Sequence, residues 1–259
     1  MSELARRQLL TGLAVSTVAG MPLAAILADP RLARAAAAGL EDVTITTAGG
    51  HAVKAALAVP ARTPAPAIVL VHEWWGLNDQ IKSVAAALAK EGYFALAVDL
   101  YGEQVTDQPD QARSLMQAVD AAVATDTLVS WVDWLRRRDG VNGKFGTVGW
   151  CFGGGWSLEA SIATPVDATV VYYGRVNQPA ARLKALKGPV LGHFASSDQW
   201  INQEMVGGFE KAMAEAGKKL TAHWYEADHA FANPTQARYD EADARLAWER
   251  TQAFFKANL

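Results

Sequence analysis

Six continuous apolar runs, at residues 67–72, 93–98, 145–150, 168–173, 190–195 and 220–225, recur along the chain with helix-patterned stretches between them. A strand that is apolar on both faces must be covered on both faces, and a parallel sheet flanked by helices supplies that cover repeatedly. The helical stretches fall near 80–90, 109–137 with a break in the middle, 154–163, 178–186, 203–216 and 235–258. Ahead of them, residues 43–47 and 52–59 are β-patterned and joined by Ala48-Gly49-Gly50, which reads as a hairpin. The expected fold is therefore α/β, with a mostly parallel central sheet, helices on both faces and an opening antiparallel hairpin. No long Pro/Ser or Gly/Ser linker interrupts residues 39–259, so they are read as one domain.

Residues 1–38 differ in composition. Arg6-Arg7 precedes an apolar, small-residue stretch, and Leu32-Ala33-Arg34-Ala35-Ala36-Ala37-Ala38 holds overlapping A-x-A cleavage sites. This pattern predicts a twin-arginine export signal, with the export machinery as partner of the precursor and a periplasmic or secreted mature protein. The segment is left out of the fold prediction. The formal charge of −3 supplies no basic footprint for nucleic acid. No short metal-ligand spacing is present, so the expected chemistry uses neither metal nor other cofactor.

In an open parallel sheet, reactive groups gather beyond the carboxyl ends of the strands. The run 145–150 ends on Gly149-Trp150-Cys151-Phe152-Gly153, which contains the only cysteine of 259 residues. G-x-C-x-G is a nucleophile elbow with sulfur in place of the usual serine oxygen. An isolated cysteine is as a rule a small core hydrophobe, so the assignment depends on partners elsewhere. His229 follows the last run and precedes the last helix, whereas the other four histidines fall within strands or at a strand end. Asp198 follows the run 190–195, where an aspartate serves equally as a turn or helix cap. The order nucleophile, acid, histidine accompanies this elbow in α/β-hydrolase folds. The expected chemistry is acyl transfer from a small ester or lactone substrate. Cys151 attacks, His229 moves the proton, Asp198 orients His229, and backbone N–H groups of Phe152 and Trp74 form the oxyanion hole.

With these residues placed, the chain resembles the dienelactone hydrolase family across residues 40–259. The likeness is carried by Val71-His72-Glu73-Trp74-Trp75-Gly76-Leu77-Asn78, Val98-Asp99-Leu100-Tyr101-Gly102, Gly149-Trp150-Cys151-Phe152-Gly153-Gly154, Tyr172-Tyr173-Gly174, Asp198 and Asp228-His229-Ala230-Phe231. The resemblance implies an α/β-hydrolase fold and a Cys151–His229–Asp198 triad. It also implies that Glu73 contacts the resting thiol until substrate displaces it. Family members that open dienelactones carry substrate-binding arginines near two positions that here hold Glu103 and Asn233, which predicts a preference for neutral substrates; Arg113 and Arg175 are other cations that could substitute. Tyr101 and Trp200, on site-facing loops, are expected to touch substrate. Two alternatives stand beside the hydrolase reading: a broader esterase or acyltransferase, and a non-catalytic binding protein on the same fold.

Overall fold

A computed structural model describes residues 21–259. The strands are β1 (Glu41–Thr46), β2 (Ala52–Ala58), β3 (Ala65–Val71), β4 (Phe94–Val98), β5 (Val141–Trp150), β6 (Ala168–Tyr172), β7 (Val190–Ala195) and β8 (Leu220–Tyr225). The helices are α1 (Leu23–Ala28), α2 (Pro30–Ala37), α3 (Asp79–Lys90), α4 (Pro109–Ala118), α5 (Ala121–Arg136), α6 (Phe152–Ala163), α7 (Ala180–Leu183), α8 (Gln203–Glu215) and α9 (Glu241–Asn258). One sheet runs in the order β1-β2-β4-β3-β5-β6-β7-β8. β1 and β2 pair antiparallel, β2 is antiparallel to β4, and every later pairing is parallel. The opening hairpin and the parallel remainder are as the sequence predicts.

The apolar runs are continuous because successive residues serve different cores. Ile68 and Leu70 of β3 pack with Ala95 and Ala97 of β4 against Ile81, Val84 and Leu88 of α3 and Phe255 of α9. Their neighbours Ala67, Val69, Phe94, Leu96 and Val98 point the other way, onto Leu128, Trp131 and Leu135 of α5. A third cluster joins Phe194 of β7 to Leu158 of α6 and Phe209 and Met213 of α8. Each fully buried large side chain contributes about 1.5–3 kcal/mol, so neither face could be left uncovered.

Boundaries differ from the sequence reading where polar side chains intervene. The break within 109–137 falls at Val119-Asp120, where the Asp120 carboxylate accepts from Ala122 N and Val123 N and starts a new helix. The last helix begins at Glu241, capped by Asp240, rather than at 235. Asn233 Oδ1 accepts from Thr235 N at 3.0 Å, and this local turn keeps the intervening residues out of the helix. β5 starts before its apolar part, at Val141 opposite Ala65.

The twin-arginine pair lies outside the described residues. The end of the segment read as a leader forms α1 and α2, which bury Ile26, Leu27 and Ala33. Ala33 O accepts from Ser83 Oγ of α3 at 2.9 Å.

Candidate active site

β5 ends at Trp150 and α6 begins at Phe152, so Cys151 alone makes the corner, with φ 54° and ψ −117°. Its N–H donates to Tyr172 O at 3.0 Å, which ties the corner to the end of β6. A Cβ on Gly149 would lie 1.9 Å from Gly153 O, and one on Gly153 would lie 2.2 Å from Val71 O. Strand and helix therefore meet backbone to backbone, which is why both positions lack a side chain. No rotamer change relieves contact with a carbonyl oxygen. Gly149→Ala is expected to destabilise the protein by about 3 kcal/mol and to cost ester hydrolysis about 100-fold or more. Denaturant midpoint and initial rate, measured on one preparation, check both.

The loops after β7 and β8 converge above this corner. His229 Nε2 lies 3.2 Å from Cys151 Sγ, and His229 Nδ1 donates to Asp198 Oδ2 at 2.6 Å. The other carboxylate oxygen of Asp198 accepts from Trp200 N at 2.8 Å and Ile201 N at 2.9 Å. Asp198 is thus both turn cap and histidine partner, and the two readings of its sequence position hold together. Burial alone would raise its pKa, but the bonds from His229 and the two amides outweigh it and hold the carboxyl below its ordinary value. Burial likewise works against a charged His229. Its bonds to Asp198 and Cys151, and their charges, push it up to about 10. Sulfur, imidazole and carboxylate can therefore exchange and stabilise a proton as one unit.

Among the described residues, the non-glycine positions with positive φ are Glu103, Cys151, Tyr173 and Ala230, which follow β4, β5, β6 and β8. Such conformations cost about 1–3 kcal/mol each, and here they are confined to the carboxyl edge of the sheet.

Phe152 N is the first amide of α6 and faces the positive end of the helix dipole. Trp74 lies in the turn after β3, and neither amide donates to another group among the described residues. The turn is fixed by buried His72, whose Nδ1 donates to Glu73 O at 2.6 Å while Nε2 accepts from Leu100 N at 3.2 Å. Burial lowers the pKa of His72, consistent with this neutral tautomer.

Of the residues expected to touch substrate, Trp200 is 60% exposed, and its ring meets His229 edge-on at 5.2 Å. Tyr101 is buried between His72, 4.7 Å away, and Phe152, 5.4 Å away; its hydroxyl has no hydrogen-bond partner among the described residues. Burial, with the charge of Cys151 behind it, raises that phenol's pKa.

Glu73, Asn233 and Glu103 have side-chain partners of their own. Among the described residues Glu73 makes no hydrogen bond to the thiol, where the resemblance implies a contact: the residue is 4% exposed, and its carboxylate accepts from Asn233 Nδ2 and, at 3.3 Å, from the Tyr173 hydroxyl. A buried carboxyl needs donors, and these two supply them. Asn233 is turned to Glu73 and Gln80. Glu103 pairs with Lys54 Nζ at 2.7 Å on an exposed edge, so its charge is met locally. The sequence reading also passed over Arg238, whose guanidinium lies 5.5 Å from the Trp200 ring centroid and whose charge acts on Glu73. Position 238 falls in the stretch read as helix, and nothing in its neighbours marks it.

Two cavities border the loops after β3, β4 and β6. One, of about 470 Å³, is bordered by Tyr101, Lys54, Glu103 and α5; the other, of about 580 Å³, lies between α1 and α9 with Glu73, Tyr173 and Asn233 on its wall. Cys151 borders neither and is itself half-buried.

Comparison with known proteins agrees with this architecture. The model of the dienelactone hydrolase family matches residues 53–259. Carboxymethylenebutenolidase of Pseudomonas putida is 31% identical over 229 residues, covering 83% of this chain and 95% of that protein. A putative carboxymethylenebutenolidase of Saccharolobus solfataricus is 30% identical over 247 residues, covering 80% and 95%. A crystal structure of a putative dienelactone hydrolase from Klebsiella pneumoniae superposes with TM-score 0.75 at 28% identity, covering 84% of this chain and 98% of that one. The fold is that of an α/β hydrolase. Since the family match runs from β2 to the last residue, and so takes in the elbow and the loops bearing Asp198 and His229, the chain belongs to the dienelactone hydrolase family.

Proposed function

We propose that this carboxylic ester hydrolase opens small esters or lactones through an acyl-enzyme on Cys151. The observation that carries the proposal is the chain of contacts Sγ to His229 Nε2 at 3.2 Å and His229 Nδ1 to Asp198 Oδ2 at 2.6 Å, with the sulfur held at a helix N-terminus. The thiolate adds to the carbonyl carbon, and the C=O π pair moves onto oxygen, where Phe152 N–H and Trp74 N–H stabilise it. The oxyanion collapses and breaks the C–O bond, and His229 Nε2 gives its proton to the departing alkoxide. Water then adds to the thioester carbonyl as His229 takes its proton. Collapse of this second oxyanion breaks the C–S bond, releasing the carboxylic acid and the thiolate. Asp198 keeps the imidazole oriented through both halves.

Glu103, neutralised by Lys54, and Asn233, bound to Glu73, offer no clamp for a substrate carboxylate. Neutral small lactones and esters are therefore expected to turn over at least as fast as carboxylated ones. A panel of matched pairs tests this, and a preference of about tenfold or more for the carboxylated member would place recognition on Arg238 instead. Adding alcohol or amine acceptors to the same assay separates hydrolysis from acyl transfer, since a transferase would form new ester or amide in place of acid. Export through the twin-arginine route is part of the proposal, supported by Arg6-Arg7 and the alanine-rich segment that follows. Loss of periplasmic or secreted protein in an Arg6→Lys, Arg7→Lys precursor is the expected outcome, and unchanged export would refute it.

A further inference from the structure

We propose that α1 and α2 stay with the folded enzyme after export, and that their packing shields the A-x-A tripeptides of residues 33–38 from leader peptidase. The inference rests on the export reading above. It changes what export delivers: a chain in which the end of the leader-like segment remains as the cover of α3.

A peptidase that reads small side chains at alternate positions takes its substrate as an extended strand, in which residues two apart point the same way. The A-x-A tripeptides here are held in another form. Ala33-Arg34-Ala35 and Ala35-Ala36-Ala37 lie within α2. Ala38, which ends Ala36-Ala37-Ala38, is the helix C-cap, with φ −64° and its N–H donating to Arg34 O at 3.0 Å. Residues two apart on a helix do not share a face, so the two alanines of each tripeptide cannot enter neighbouring pockets together. In the first two tripeptides one alanine is also turned into the protein: Ala33 is 3% exposed and Ala37 8%. The last has no slack. Only Gly39 and Leu40 separate Ala38 from β1, whose Glu41 is already paired opposite Leu57 of β2.

The helix is specified by its own ends and by what it covers. Asp29 caps it, its carboxylate accepting from Arg31 N at 2.8 Å, and Pro30 stands at the first helical position. Ser83 of α3, itself buried, donates across the contact to Ala33 O at 2.9 Å. Leu27 of α1 belongs to the same buried cluster as Ile81, Val84 and Leu88 of α3, with Leu23 and Leu40 packed against it. The Arg34–Asp79 ion pair at 3.5 Å is exposed and adds little. Cleavage after Ala38 would strip this cover from α3 and open one wall of the 580 Å³ cavity, where Leu23, Ile26 and Leu27 lie. The twin-arginine route carries chains already folded, so the cover is in place before a peptidase is met.

The test is the intact mass of the full chain after export, recovered from membrane, periplasm and medium together, since the mass gives the first residue. A chain beginning at or before Pro22 is expected, which leaves both helices whole; a first residue beyond Pro22 would overturn the proposal. Hydrogen exchange on the purified full chain reads the shield without any peptidase. The amides of residues 33–38 are expected to exchange about 100-fold or more slowly than in the unfolded chain, and exchange within about threefold of the unfolded rate would overturn the proposal. Ser83→Arg places a long charged side chain under α2 and leaves the leader sequence untouched. Cleavage of a transiently opened segment tracks the open population, so this variant is expected to raise the share of chains beginning at residues 36–39 by about tenfold or more. Faster exchange in that variant with no new cleavage would also overturn the proposal, and the native mass and exchange decide the question if the variant fails to fold. No protein outside the cytoplasm would remove the export reading and the proposal with it, whereas exported protein with unprotected amides would remove the shield alone.

Discussion

Cys151→Ala is expected to lower kcat/KM for a small activated ester by about 10⁵-fold or more, with the fold intact. Nucleophile, imidazole and carboxylate act as a unit, and loss of the nucleophile in comparable triads costs about 10⁶ in kcat, leaving only the oxyanion site and binding. Here the loss is specific because the sulfur is the atom at the corner that meets His229 Nε2, at 3.2 Å. Alanine keeps the Cβ that the corner already accommodates at φ 54°, so strain at the elbow is unchanged. Cys151 is only half-buried, and its removal is expected to change unfolding free energy by no more than about 1 kcal/mol. Initial rates and a thermal melt on one sample separate the two effects. A variant that melts normally and still hydrolyses the ester at the native rate would show that the sulfur is not the attacking atom.

Asp198→Asn is the second large effect, about 10³–10⁴-fold in kcat with KM little changed. The amide oxygen of asparagine can still accept from Trp200 N and Ile201 N, so the turn survives. What disappears is the negative acceptor opposite His229 Nδ1, which sets the tautomer and supports the imidazolium. The same substitution has a pH signature. His229 is pushed up to about 10 from 6.5, so its contribution to stability is fully present below about 6.5 and is lost as pH rises through about 10. Asp198 is shifted down, so its contribution is present above its ordinary value and is lost as pH falls through the lower folded one. The native protein is therefore expected to lose unfolding free energy between pH 6.5 and 10, and Asp198→Asn to show a flatter curve across that window. Denaturant midpoints at several pH values read it directly. Equal slopes in both proteins would mean that the bond at 2.6 Å contributes nothing to the ionisation of His229.

Much of the fold was legible because burial on both faces leaves a simple trace. Runs such as Ile68-Val69-Leu70 alternate between two cores, and only a covered parallel strand tolerates that. The elbow was legible for a related reason, since Gly149 and Gly153 mark where two backbones touch. His229 and Asp198 could be placed at strand ends from their positions alone. The contacts that refine the site could not. Asn233 and Glu73 are 160 positions apart, and nothing local in either stretch marks an amide that will donate to a carboxylate. The same holds for Arg238 above Trp200. The late start of α9 follows from Asn233 and Asp240 making their own local bonds to Thr235 and Asp243, against a helical pattern that carries through residue 235. α1 and α2 escaped because their sequence satisfies export-signal chemistry and short-helix chemistry alike, and only the packing of Ile26, Leu27 and Ala33 reveals the second.

The central claim is that substrate acyl groups pass through a covalent bond to one sulfur. A slowly deacylated ester, mixed with the protein and quenched within the first turnover, is expected to add one acyl mass to the intact chain. Peptide mapping is expected to locate that mass on Cys151, and Asp198→Asn to acquire it more slowly. Hydrolysis at the native rate with no acyl mass on Cys151 at any quench time, or with the mass on another residue, would contradict the account.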